Sequence, residues 1–168
     1  MKTTIALALF ACATAAHAQS IGIKDQLLKH YLTSKDLTLA VADAMPAGDY
    51  NFKATPAEMS FGEQMNHIAL AAGNYCSRAL GTENPVPKSA DSSKPAATKN
   101  LNTAYDYCIT GLRRLDDAAL SKEIGPIGPR QMSVFELLLG GFTHTAHHRG
   151  QAEVYLRLKG ITPPEYKF

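Results

Sequence analysis

Four stretches of the chain repeat apolar residues every three or four positions, the spacing of an amphipathic helix. The first, over residues 23–45, carries Leu27, Leu28, Tyr31, Leu32, Leu37, Val41 and Ala44. Met45-Pro46-Ala47-Gly48-Asp49 stops it, and residues 50–59 read as a loop with Pro56 inside. The second opens on Ser60-Phe61-Gly62-Glu63, a capping box in which Ser and Glu satisfy free backbone donors reciprocally. It ends at Gly81. Residues 82–98 are rich in Pro, Ser, Lys and Asn, lack a period and read as loop. The third helix, over residues 98–120, carries Leu101, Ala104, Cys108, Leu112 and Leu115. Gly125-Pro126-Ile127-Gly128-Pro129 cannot be helical, and residues 130–132 suit at most a short extended stub. A second capping box, Ser133-Val134-Phe135-Glu136, opens the fourth helix, over residues 133–159, which Gly160 and Pro163-Pro164 end. This pattern predicts an all-α, up-down-up-down four-helix bundle.

The first residues follow another logic. Lys2 precedes an apolar stretch over residues 5–16, and Ala16-His17-Ala18 supplies a small-x-small cleavage pattern. This predicts a signal peptide over residues 1–18, cleaved near Ala18. The single domain is then residues 19–168, exported to the periplasm or beyond. A lipoprotein is the alternative, because Leu9-Phe10-Ala11-Cys12 loosely resembles a lipobox. No apolar run reaches the roughly 20 residues of a membrane span. With 168 residues, 45% of them hydrophobic, the chain can bury a core, which excludes disorder. Lys and Arg number 17 against 15 Asp and Glu, a balance that gives no case for a nucleic-acid partner.

Export would leave Cys76 and Cys108 in an oxidising compartment. If helices two and three are antiparallel neighbours, the two cysteines differ in level by roughly 9 Å at about 1.5 Å per residue. A bridge needs Cα atoms within about 7 Å, so both thiols are expected to stay free.

The chemistry concentrates in His144-Thr145-Ala146-His147-His148 of the fourth helix. His144 and His148 are one turn and about 40° apart, so both imidazoles reach a single ion. On a helical projection they fall among Leu137, Tyr155, Val134 and Ala152, at the centre of the apolar stripe, with Arg149, Glu153 and Arg157 opposite. His147 points about 60° to the side, a flank position. A third ligand must come from elsewhere: His67, His30, Glu63 or a cysteine. In an up-down-up-down bundle, helices two and four run parallel, which brings His67 to the level of His144. Phase alone does not select it, because His67 lies at the edge of the arc of Met65, Ala69, Ala72, Cys76 and Ala79. Leu138, Phe142 and Leu156 lie about 120–160° from the histidine face, and such an apolar patch predicts a homodimer.

Two stretches resemble the DinB/YfiT-like superfamily of bacterial metal-binding four-helix bundles. One is Tyr50-Asn51-Phe52-Lys53-Ala54-Thr55-Pro56 with Ser60-Phe61-Gly62-Glu63-Gln64-Met65-Asn66-His67-Ile68-Ala69. The other runs from His144-Thr145-Ala146-His147-His148-Arg149-Gly150-Gln151 through Tyr155-Leu156-Arg157-Leu158-Lys159-Gly160 to Pro163-Pro164. The resemblance implies a divalent metal held by His67, His144 and His148. It also implies chemistry of the kind run by small-thiol enzymes, such as bacillithiol transferases and mycothiol-dependent isomerases. Imidazole suits zinc, nickel, iron and copper alike, with zinc or nickel the expected ion. Three ligands leave coordination open, which suits a metal-dependent hydrolase or transferase with a small-molecule substrate. The alternative is a non-catalytic metal-binding or interaction protein built on the same bundle. Glu63, one turn before His67, and Gln151, in phase with His144, are candidates to orient the ligands.

Overall fold

The computed structural model describes residues 22–127 and 130–167; the expected signal peptide and its cleavage site lie outside the described residues. Four long helices form close to where the apolar periods predict them, except that the third ends at Arg113 and not at Leu120. They are α1 (Ile23–Ala44), α2 (Phe61–Leu80), α3 (Lys94–Arg113) and, after a single-turn α4 (Asp117–Leu120) and a hairpin, α5 (Val134–Leu158). Both capping boxes close. Ser60 Oγ accepts from the Glu63 N–H at 3.2 Å and Glu63 Oε2 from the Ser60 N–H at 2.6 Å, and Ser133 with Glu136 repeats the arrangement. Gly81 takes the left-handed conformation at the end of α2 (φ 65°), donating its N–H to Ser77. Helix α3 starts earlier than its apolar stripe suggests, because Ser93 and a first-turn Pro95 form a good N-terminus. The expected stub is a strand. β1 (Glu123–Ile127) and β2 (Arg130–Ser133) pair antiparallel, with a bulge between Glu123 and Pro126.

The helix directions differ from the expected up-down-up-down order. Ser34 and Thr38 of α1 bond Tyr105 of α3, and Lys94 bonds Asp43, so α1 and α3 are antiparallel. Asn66 meets Asn100 and Cys76 meets Cys108, so α2 and α3 run parallel. Tyr155 bonds Met59 while His148 meets His67, so α2 and α5 are antiparallel. The order is up, down, down, up. Joining parallel neighbours requires a return along the full length of α2, about 30 Å at 1.5 Å per residue. Residues 81–93 make it as an extended strap. Asn84 bonds Leu70 and Asn74, and the Asp91 carbonyl accepts from Asn66. Two glycines of α2 admit the strap. A Cβ on Gly62 would lie 1.9 Å from the Ser92 carbonyl oxygen, and one on Gly73 2.2 Å from Asn84 Oδ1.

The parallel arrangement also overturns the expectation of free thiols. Cys76 lies fifteen residues past the start of α2 and Cys108 fourteen past the start of α3, so their levels coincide. They form a buried disulfide with Cα atoms 5.5 Å apart.

Helix α5 buries a wider arc than the sequence suggests, because it packs on both α1 and α2. Leu138 and Leu156 are core residues at 1% and 0% exposure, so the patch proposed for a dimer is absent. Arg149, expected opposite the core, is buried as well. Measured from His144, the buried positions run from about +20° (Leu137, Tyr155) to about +140° (Arg149), centred near about +80°. The two histidines therefore occupy the flank of the buried stripe, not its centre.

Candidate metal centre

The antiparallel contact of α2 with α5 brings His67 to the pair on α5. From the bond between Tyr155 and Met59, His67 is eight residues down α2 and His148 seven back along α5, so their levels match. One nitrogen from each of His67, His144 and His148 lies within 4.8 Å of the others, and all three rings are half-buried. His67 Nε2 stands 3.1 Å from His148 Nε2. His30, the other histidine considered as third ligand, lies elsewhere, against Phe142 of α5. His147 stays on the flank, exposed.

Two amides converge on His148. Gln151 Nε2 lies 3.0 Å from His147 Nε2, the acceptor for that amide. His148 Nδ1 lies 3.0 Å from both Gln151 Oε1, an acceptor, and Gln64 Nε2, a donor. Gln64 donates to the same oxygen at 2.5 Å and reaches the His148 carbonyl at 3.4 Å. These contacts fix the ring's orientation, with Nε2 facing His67. Gln64 is 2% exposed, and its role was missed in the sequence. The available signal was its place on the same edge of α2, one turn before His67. Glu63 does not support the histidines. Its carboxylate serves the capping box and lies 3.6 Å from Lys53, and the Ser60 backbone bond holds its pKa below the ordinary range.

Burial lowers the pKa of all three imidazoles. For His67 it is the whole cause; for His144 the neighbouring His67 and His147 add to it. His148 is pushed down to about 4 by burial first, then by His67 and His144. All three rings are therefore neutral at pH 7, the form that binds metal.

Two features fit a cation. His144 Nδ1 is buried without a hydrogen-bond partner, the sole such side-chain nitrogen or oxygen among the described residues. In addition, nitrogens that share an ion at about 2.0–2.1 Å sit roughly 2.9–3.4 Å apart in octahedral or tetrahedral geometry, a range that includes the His67–His148 spacing. Beside His67 opens a cleft of about 330 Å³, lined by Glu63, Asn66 and Leu70 of α2 and by Pro87, Lys88 and Ser89 of the strap.

The model of the DinB superfamily matches residues 30–152, and the chain belongs to that superfamily. It is similar to YjoA of Bacillus subtilis, an uncharacterised protein 23% identical over 141 residues, which cover 82% of this chain and 92% of YjoA. The YjoA crystal structure matches with a TM-score of 0.71 over 84% of this chain and 96% of that one. A DinB-like protein from Bacillus cereus, 20% identical, also gives 0.71, over 85% and 97%. At these identities the likeness establishes the fold alone.

Proposed function

We propose that the protein is an exported metal-dependent enzyme, a hydrolase or transferase, in which His67, His144 and His148 hold one divalent ion, zinc or nickel. The observation that carries this reading is the convergence of three neutral imidazoles beside an open cleft. Three protein ligands leave room for a further one, as catalytic sites require. A bound ion supplies Lewis acidity, which makes a water or thiol nucleophilic near neutral pH. The protein's own residues do the positioning. Gln151 and Gln64 orient the His148 ring at Nδ1, Gln64 also fixes Gln151, and the Ser60–Glu63 cap anchors the turn from which Gln64 and His67 project. Lys88 and Ser89 offer polar contacts to a small molecule entering the cleft. Export is supported by the signal-like first eighteen residues and by the buried disulfide, which suits an oxidising compartment.

A second reading, a non-catalytic metal-binding protein, draws on one observation. Among the described residues no carboxylate joins the histidine group, and Glu63 is engaged in its cap. The deciding experiment is metal analysis of protein purified without a His-tag, followed by esterase, amidase and thiol-transfer screens of the loaded form. One equivalent of metal with turnover that chelation abolishes supports the enzyme. One equivalent with no turnover in any screen supports the second reading, and no metal overturns both.

A further inference from the structure

On the other side of α5, Arg149 is 6% exposed and enters a polar layer in the middle of the bundle. Its Nη1 donates to Ser34 Oγ at 3.1 Å and to Thr38 Oγ1 at 3.3 Å, and both hydroxyls also bond the Tyr105 hydroxyl. These partners are neutral. Burial raises the Tyr105 pKa, so the phenol carries no charge near pH 7. No carboxylate among the described residues forms an ion pair with Arg149. A buried guanidinium without an opposite charge is unfavourable, because hydroxyl dipoles replace only part of its hydration. Among the described residues, Nη1 is the one guanidinium nitrogen with a hydrogen-bond acceptor.

Arg149 lines a cavity of about 100 Å³ between α1 and α5. Ser34 and Thr33 add hydroxyls, Leu37 and Phe142 form apolar walls, and Lys167 stands at the rim as a second cation. A water occupies about 30 Å³, so the space matches a group of a few heavy atoms. The free edge of a guanidinium presents two parallel donors, which match the two oxygens of a carboxylate. We propose that this cavity is a binding site for one small monocarboxylate, held on the Arg149 guanidinium, with its short alkyl end against Leu37 and Phe142 and Lys167 beside it. The site is separate from the histidine cluster and does not depend on the metal.

The test titrates acetate, propionate, phosphate and chloride into the tag-free protein at constant ionic strength and follows the unfolding midpoint and calorimetric heat. A carboxylate that binds only the folded state raises the midpoint along a saturable curve. Acetate or propionate should give that curve with one site per chain, and chloride should not. Arg149→Met should weaken binding about tenfold or more, as expected for loss of a charge-assisted pair. Lys167→Ala, at an exposed position, should keep the fold and weaken binding several-fold. If Arg149→Met does not fold, the Lys167 variant and Thr33→Val decide. His67→Ala should leave the carboxylate response intact, which separates this result from a failure of the metal reading. No saturable response, an equal response to chloride, a preference for phosphate, or unchanged binding in the variants would each overturn the proposal.

Discussion

Each of the three clustered imidazoles has a distinct environment, and single substitutions should sort accordingly. His67→Ala, His144→Ala and His148→Ala should each lose most of the bound metal, because two imidazoles hold an ion far less well than three. His147→Ala should keep most of it, since that ring lies on the exposed flank and acts only through Gln151. Metal content and calorimetric affinity at one pH make the comparison, and loss in His147→Ala with retention in His144→Ala would reverse the assignment. Gln151→Ala should weaken affinity about 10–100-fold, the usual cost of removing a partner that orients a ligand. Protons act on the same atoms. The unfolded chain carries imidazoles near about 6.5, whereas His148 is held at about 4 in the fold, so between those values the unfolded state binds more protons. Stability of the metal-free protein is therefore full above about pH 6.5 and declines as pH falls towards 4. Thermal unfolding at pH 7.5, 6 and 5 should show this decline, and His148→Ala should show less of it.

At the scale of the element, the caps and the strap carry the predictions. Ser133→Ala and Ser60→Ala should each lower stability by about 0.5–2 kcal/mol, measured by urea unfolding. Glu63→Gln separates two roles for that residue. As a capping residue it should cost stability and leave metal content intact, and loss of metal would show it acting on the site. Gly73→Val places a side chain where Asn84 lies, so it should displace the strap from α2. Protease cleavage between residues 82 and 93 should then become faster while the far-ultraviolet helix signal persists. The helices and caps were legible in the sequence because they depend on neighbours within a turn. The strap was not, because residues 81–93 have no period and their bonds run to side chains and carbonyls of α2.

Across the whole molecule, the disulfide is the main covalent constraint. It joins residues 32 apart, and a loop of that size is expected to contribute about 3–4 kcal/mol through the unfolded chain. Urea unfolding with and without reductant, and of Cys76→Ala with Cys108→Ala, should show that difference. Titration of the denatured, unreduced protein should find neither cysteine free. Two apolar clusters fill the bundle on either side of the level of Ser34, Thr38 and Arg149.

The sequence by itself determined the four helices, their caps, the His144–His148 pair and the edge position of His67, since each depends on periodicity or on contacts within one turn. Helix direction depends instead on where an aperiodic connection ends, and residues 82–92 carry no local signal for that. Only the tertiary structure decided that α2 and α3 run parallel, and that reversal paired the cysteines. It also decided that α5 packs on two neighbours, which buried Arg149, Leu138 and Leu156 and moved the histidines to a flank. His67 met the pair on α5 for a reason opposite to the one expected. The helices are antiparallel, and the levels agree because both are counted from the same end of the bundle, where Tyr155 bonds Met59.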